Sequence, residues 1–257
     1  MNEINRDELA ELSGETAFRR PARYVVPLIS LNGNEGKFYK NILSDEGTEK
    51  EPLEDTEIKG IILKIRRVLT QFGKDERYYT NEHDSWKDKL ILFHAKGGKI
   101  DRVDEGVTEA IRNRHQELRY TSHIYFLLDK EVVKLVVRGS SVGNFIEFTN
   151  SQFKTNEHLF DYEIEIKPQK QTNEALGTTY YAMQFEKGDK IGDLTEVGEK
   201  IKEVSDAIKK QDDYYKKPKE DEDDEVVVDN IPTVSIDEPE KEVEEEKDKI
   251  NVEDIPF

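Results

Sequence analysis

The chain is expected to be mainly β, in an α+β arrangement centred on a small barrel-like domain of antiparallel strands. Three observations lead there. Apolar and polar residues alternate in several separate runs of the central part, the period of a half-buried strand. The links between these runs are short or rich in turn residues, as antiparallel pairing requires. Charge is also divided: residues 217–257 hold 17 Asp/Glu against 5 Lys/Arg, in a chain of 257 residues with formal net charge −18. Most of the acidity therefore belongs to a segment too poor in apolar residues to build a core.

Residues 1–22 read as a flexible polar arm, with a short helix over Asn5–Leu12 that Ser13-Gly14 ends. Tyr24–Leu31 is apolar but interrupted by Pro27, which predicts an edge strand or extended segment. Asn32-Gly33-Asn34-Glu35-Gly36 is turn chemistry. Lys37–Leu43 is a second short element and 44–56 a loop. From Glu57 to Leu69, Ile61, Leu63 and Ile65 alternate with Ile62, Lys64 and Arg66, a long strand that can coil across two layers. The next stretch, 70–87, is a polar excursion carrying Phe72, Tyr78, Tyr79 and Trp86. A short strand over Lys89–His94 leads to the turn at Lys96-Gly97-Gly98-Lys99. Val107, Ala110, Ile111 and Leu118 then recur at helical spacing.

Arg119–Leu128 and Glu131–Val137 are two strands joined through Asp129-Lys130. A short helix follows over Asn144–Lys154, then strands over Phe160–Lys167 and Thr178–Phe185. About five strands with one or two short helices fit a five-stranded OB-like Greek-key barrel, a fold that commonly holds oligonucleotides. The barrel domain is placed at 23–190 and a helix at 191–216, with Val197, Ile201, Val204 and Ile208 on one stripe. That helix can pack on the barrel or mediate self-association into a homo-oligomer. Residues 217–257 are read as a disordered acidic tail.

Composition narrows the function. There is no Cys, hence no disulfide framework and no thiolate metal site. No apolar run approaches the roughly 20 residues that span a bilayer, and no membrane partner is expected. The five histidines are dispersed, without a two-His helical spacing, so neither a metal nor another cofactor is expected. Gly139-Ser140-Ser141-Val142-Gly143 lacks the Gly-Lys-Ser/Thr ending of a Walker loop; its hydroxyls beside Arg138 suit contact with phosphate instead. No catalytic constellation emerges, and the protein is expected not to be an enzyme.

The barrel region is basic where the rest of the chain is acidic. Between Lys59 and Arg138 stand 17 Lys/Arg and 12 Asp/Glu. Cations along a groove neutralise phosphates and release counterions, giving affinity without sequence preference. Aromatics interleave with them, and any base can stack on such a ring. The expected DNA-binding residues are Lys64, Arg66, Arg67, Tyr78, Tyr79, Trp86, Lys87, Lys89, Lys134 and Arg138; Phe72 and Tyr120 are weaker stacking candidates, and Lys96, Lys99, Arg112, Arg114 and Arg119 are further basic residues of the region. An acidic tail on the same chain can occupy such a groove until nucleic acid displaces it.

The tail closes on Asp254-Ile255-Pro256-Phe257. Proline limits the backbone freedom lost on docking, the apolar side chains are buriable, and the carboxylates offer charge, which is the chemistry of a terminus captured in a basic, apolar pocket. This tip resembles that of bacterial single-stranded DNA-binding proteins, whose acidic tails end in Asp-Ile-Pro-Phe or a close variant. The resemblance covers mainly the tail; the layout of one divergent barrel and an acidic tail is also similar to bacteriophage proteins of that kind. It implies sequence-independent binding and protection of single-stranded DNA in replication, recombination or repair. It also implies docking of partner enzymes through Asp254, Ile255, Pro256 and Phe257, in the cytoplasm of a bacterial or phage-infected cell, near the nucleoid. Two other classes stay open. One is a decoy that competes for the tip's pocket without binding DNA. The other is a metal-dependent nuclease using Glu165-x-Lys167, or a strand-annealing protein.

Overall fold

A computed structural model describes residues 26–44, 47–73, 76–97, 99–174 and 177–216. The expected N-terminal arm and acidic tail lie outside them. Where alternation predicts about five strands, the described residues form eleven, in one large, open, mixed sheet. Three α-helices and a single 3-10 turn (Leu159–Asp161) complete the described residues, which are mainly β.

The spine is β4 (Ile58–Phe72), 15 residues long and apolar toward both faces. Its length lets it serve three neighbours. At its start, Ile58–Gly60 pair with Ile164–Ile166 of β10 (Tyr162–Asn173). Along most of its course it pairs antiparallel with β8 (Arg119–Leu128), with a bulge between Ile62 and Lys64. At its end Thr70–Phe72 pair with β5 (Glu76–Thr80). Gly60 makes the crossing possible, because a Cβ there would lie 2.1 Å from the Leu127 carbonyl oxygen and 2.6 Å from the Phe126 ring. Backbone cannot yield as a side-chain tip does. Gly60→Ala is therefore expected to destabilise by about 3 kcal/mol, read as a lower urea midpoint at unchanged slope; a shift below a third of that would contradict this account.

β8 continues into β9 (Glu131–Arg138) through Asp129 and Lys130, both at positive φ (46° and 69°), the requirement of a two-residue turn that matches strand twist. Next come α2 (Ser140–Gln152) and the hairpin of β10 with β11 (Thr178–Lys190). The expectation of an edge strand around Pro27 is corrected. β1 (Leu28–Asn32) pairs with β2 (Lys37–Ser44) on one side and runs parallel to β9 on the other. Pro27 sits just before the strand, where its missing N–H costs nothing and its carbonyl accepts the Lys134 N–H at 2.8 Å. On the turn after β1, the Gly33 carbonyl accepts the Tyr181 N–H of β11 at 2.7 Å.

The strands missed are β3 (Gly47–Pro52), β5 and β7 (Lys99–Val107). β3 and β7 end the sheet's path, and β7 is exposed or half-exposed throughout, so no apolar alternation marks it. The predicted helix over 106–118 shrinks to α1 (Thr108–Arg114), because β7 takes the residues before it.

Three apolar clusters hold these elements. Phe145 and Phe148 of α2 pack with Met183, Phe185, Ile124, Phe126 and Val133 on one face. Val197, Val204 and Ile208 of α3 (Thr195–Lys216) pack with Leu63, Tyr125, Leu127 and Val132, so this helix covers the sheet as one of its two expected roles allowed. Leu69, Leu90, Leu92, Ile111 and Leu118 form the third, joining β4, β6 (Lys89–Lys96) and α1. No helix among the described residues is long and apolar enough to cross a membrane.

Candidate nucleic-acid interface

The segment between β5 and β6 is fixed at several points. His83 exchanges backbone hydrogen bonds with Arg67 of β4 at 2.9 and 3.0 Å. Asn81 Oδ1 accepts the Ile91 N–H at 2.7 Å. The Asp88 carboxylate accepts the N–H groups of Asp84 and Ser85. This tight turn lifts Trp86 to the surface, 46% exposed.

Around Trp86 cations and rings alternate. The Arg67 guanidinium lies 4.7 Å over the indole. The indole meets Tyr120 of β8 edge-on at 4.9 Å. Arg112 of α1 lies 4.6 Å over Tyr120 and donates from Nη1 to its hydroxyl at 2.9 Å. Arg67 is oriented by donating to the Asp84 carbonyl at 2.6 Å. Lys87 lines, with Trp86, Arg112 and Tyr120, an open cleft beside these groups. A second pair stands apart from this ladder, with Arg138 over the exposed Phe72 ring at 5.6 Å; partial burial lowers the pKa of this guanidinium. Among the described residues, no carboxylate is paired with Arg67, Lys87, Arg112 or Arg138.

The other expected residues go elsewhere. Arg66, 2% exposed, is an interior group: its Nη2 donates to both oxygens of Asp212 at 2.9 Å and to the Glu82 carbonyl, and its Nη1 to Asp84. Lys64 lies 3.5 Å from Asp84. Lys134 donates to Glu82 at 2.8 Å. These three cations thus gather beneath α3 and around acids of the 81–84 turn. Lys89 pairs with Glu105. Tyr78 stacks on His94 at 4.4 Å and packs on the third core, while Tyr79 stacks on Phe93. The hydroxyls expected to meet phosphate face β11: Ser141 Oγ accepts the Met183 N–H, and Ser140 hydrogen-bonds the Tyr180 hydroxyl. Asp254, Ile255, Pro256 and Phe257 lie outside the described residues.

Tyr120, a weaker stacking candidate by sequence, and Arg112, which sequence did not separate from Arg114 and Arg119, are central to the ladder. The signal for them is local: α1 is short and turns back at His115–Leu118, returning the chain to its own helix. Glu165 and Lys167, the nuclease candidates, sit in a cross-strand charge network with Lys59 and Glu186. Among the described residues no group of three or more His, Cys, Asp or Glu is placed to hold a metal ion. Comparison with known proteins finds no matching family model, no matching curated protein and no matching solved structure.

Proposed function

We propose that this protein binds single-stranded DNA without sequence preference, using the surface built by Arg67, Trp86, Lys87, Arg112 and Tyr120. The observation that carries the reading is the alternation of cations and aromatic rings around an exposed tryptophan. Rings take bases of any identity, and unpaired cations take the phosphates between them. In the same reading, β4, β8, β9, β10 and β11 are an OB-like Greek-key core. The pairings that support it are β4 with β8 along its length and with β10 at its start, the hairpins β8–β9 and β10–β11, and α2 between β9 and β10. β1 then lies beside β9, on the edge where β11, the fifth core strand, would have to pair to close the ring. Residues 73–118 become an elaborated loop between the first two core strands, one of the two loops with which such barrels bind oligonucleotides. Trp86, Arg112 and most of the ladder stand on that insertion.

Trp86 is the chain's single tryptophan, so its fluorescence reports this site alone. Titration with a dT oligonucleotide at low salt is expected to quench it saturably. The logarithm of affinity should fall linearly with the logarithm of salt, by about 0.7 per phosphate engaged, and duplex should compete poorly. No quenching together with no binding at low salt would sink the reading. Partner docking by Asp254–Phe257 is proposed on the tip's resemblance alone; it is tested by comparing capture of host replication and repair enzymes by full-length protein and by Phe257→Ala.

A further inference from the structure

Beside the ladder is an open cleft of about 640 Å³ between the 81–88 turn and α1, within the size range of small-molecule sites. Trp86 and Tyr120 give it an aromatic lining. Most of the remaining lining is polar or charged. Glu109 and Asn113, four residues apart on α1, lie on one face of the helix, and Gln116 follows in the turn beyond. Thr108 also lines the cleft; it is 3% exposed, and its Oγ1 makes no hydrogen bond. A buried hydroxyl without a partner is a cost that a bound polar edge can remove. Lys87 and Arg112 also line the cleft and suit the phosphates of the strand, while the Glu109 carboxylate disfavours an anion beside it. A flat aromatic ring with hydrogen-bonding edges suits both the rings and the polar groups of this lining.

We propose that this cleft takes one nucleobase turned out of the bound strand, and that Glu109 makes it discriminate against thymine. The inference rests on the single-strand reading above and adds a base preference to it. An ionised carboxylate only accepts hydrogen bonds. Guanine offers adjacent N1–H and N2–H donors, and cytosine and adenine each offer an amino group. Thymine offers a single N3–H flanked by two carbonyl oxygens, and these would confront the Glu109 oxygens. Asn113 and Gln116, each able to donate and accept, complete an edge without rejecting any base. Selection would come from one repulsive element, a common source of specificity. The remaining bases, held by the ladder, stay unread.

The experiment titrates full-length protein with two labelled oligonucleotides of equal length, all dT or dT with one central dG, following Trp86 fluorescence. The dG strand is expected to bind roughly tenfold more tightly, and Glu109→Gln, which lets that position donate as well as accept, is expected to abolish the advantage. Equal affinities, with quenching by both strands, would overturn the base site and leave the single-strand reading intact. A dG advantage that survives in Glu109→Gln would overturn the role of Glu109. No quenching by either strand would remove the single-strand reading itself. Because Glu109 is exposed, its replacement should not disturb folding, and the wild-type comparison of the two strands stands without it.

Discussion

Glu82→Ala is expected to cost about 3–5 kcal/mol of unfolding free energy, the range for breaking a buried ion pair from one side. The Glu82 side chain is 16% exposed and links β8 and β9 to the turn it sits on. It accepts from His123 Nδ1 at 2.8 Å, Tyr125 Oη at 2.9 Å and Lys134 Nζ at 2.8 Å. Arg66 Nε stands 4.0 Å away with no hydrogen bond of its own. Removing the carboxylate strands Lys134 and weakens the setting of Arg66, both nearly out of water. Urea unfolding at neutral pH measures this, and a loss under 1 kcal/mol would count against the network.

The same group gives a pH dependence of known sign. Burial by itself raises the Glu82 carboxyl, but Lys134 and His123 outweigh it and hold the carboxyl well below its ordinary value of 4.5. A carboxyl depressed in the folded state contributes stability that is fully present above its unfolded value and is lost as pH falls through the folded one. Wild-type protein should thus lose stability steadily on acidification below about pH 4.5. Glu82→Gln, weaker at pH 7, should lose less over that interval. Parallel pH profiles for the two proteins would assign the acid sensitivity to other carboxyls. Asp104 is one such group, held at about 2 chiefly by its hydrogen bonds from Arg114, with the Glu105 N–H and His115 assisting.

The second large effect concerns binding. Trp86→Ala is expected to weaken single-strand binding by about 1–3 kcal/mol, roughly 5- to 150-fold, read by anisotropy of a labelled oligonucleotide because the variant has no tryptophan. Arg112→Ala should weaken it as well and reduce the salt slope by about 0.7, since it removes one cation and frees the Tyr120 ring. Lys89→Ala is the informative contrast: Lys89 already pairs with Glu105 at 2.8 Å, so its loss should change affinity little. Equal losses from Lys89→Ala and Arg112→Ala would mean diffuse charge attraction rather than an organised site.

What the residues disclose unaided is the part with a local period or a local turn. The β8–β9 hairpin is legible in its alternation and in Asp129-Lys130. The 22-residue α3 is legible in its apolar stripe, and the long β4 in its run of aliphatic residues. A tryptophan in a polar stretch, next to Lys87, also needs no fold to be noticed. Strands β3 and β7 escape such reading because backbone pairing to a neighbour, not burial of an alternating face, makes them strands.

The fate of each cation was decided by tertiary structure. Arg66 and Arg67 are adjacent and chemically identical, yet one is buried against Asp212, 146 positions away, and the other lies on an indole. Strand geometry sends neighbouring side chains to opposite faces. What waits on each face comes from distant chain: acids of the 81–84 turn and of α3 on one, Trp86 on the other. Composition alone could establish that this region is basic. Only the assembled sheet determines which of its charges remain unpaired, because an ion pair depends on distance in space and not on separation along the chain.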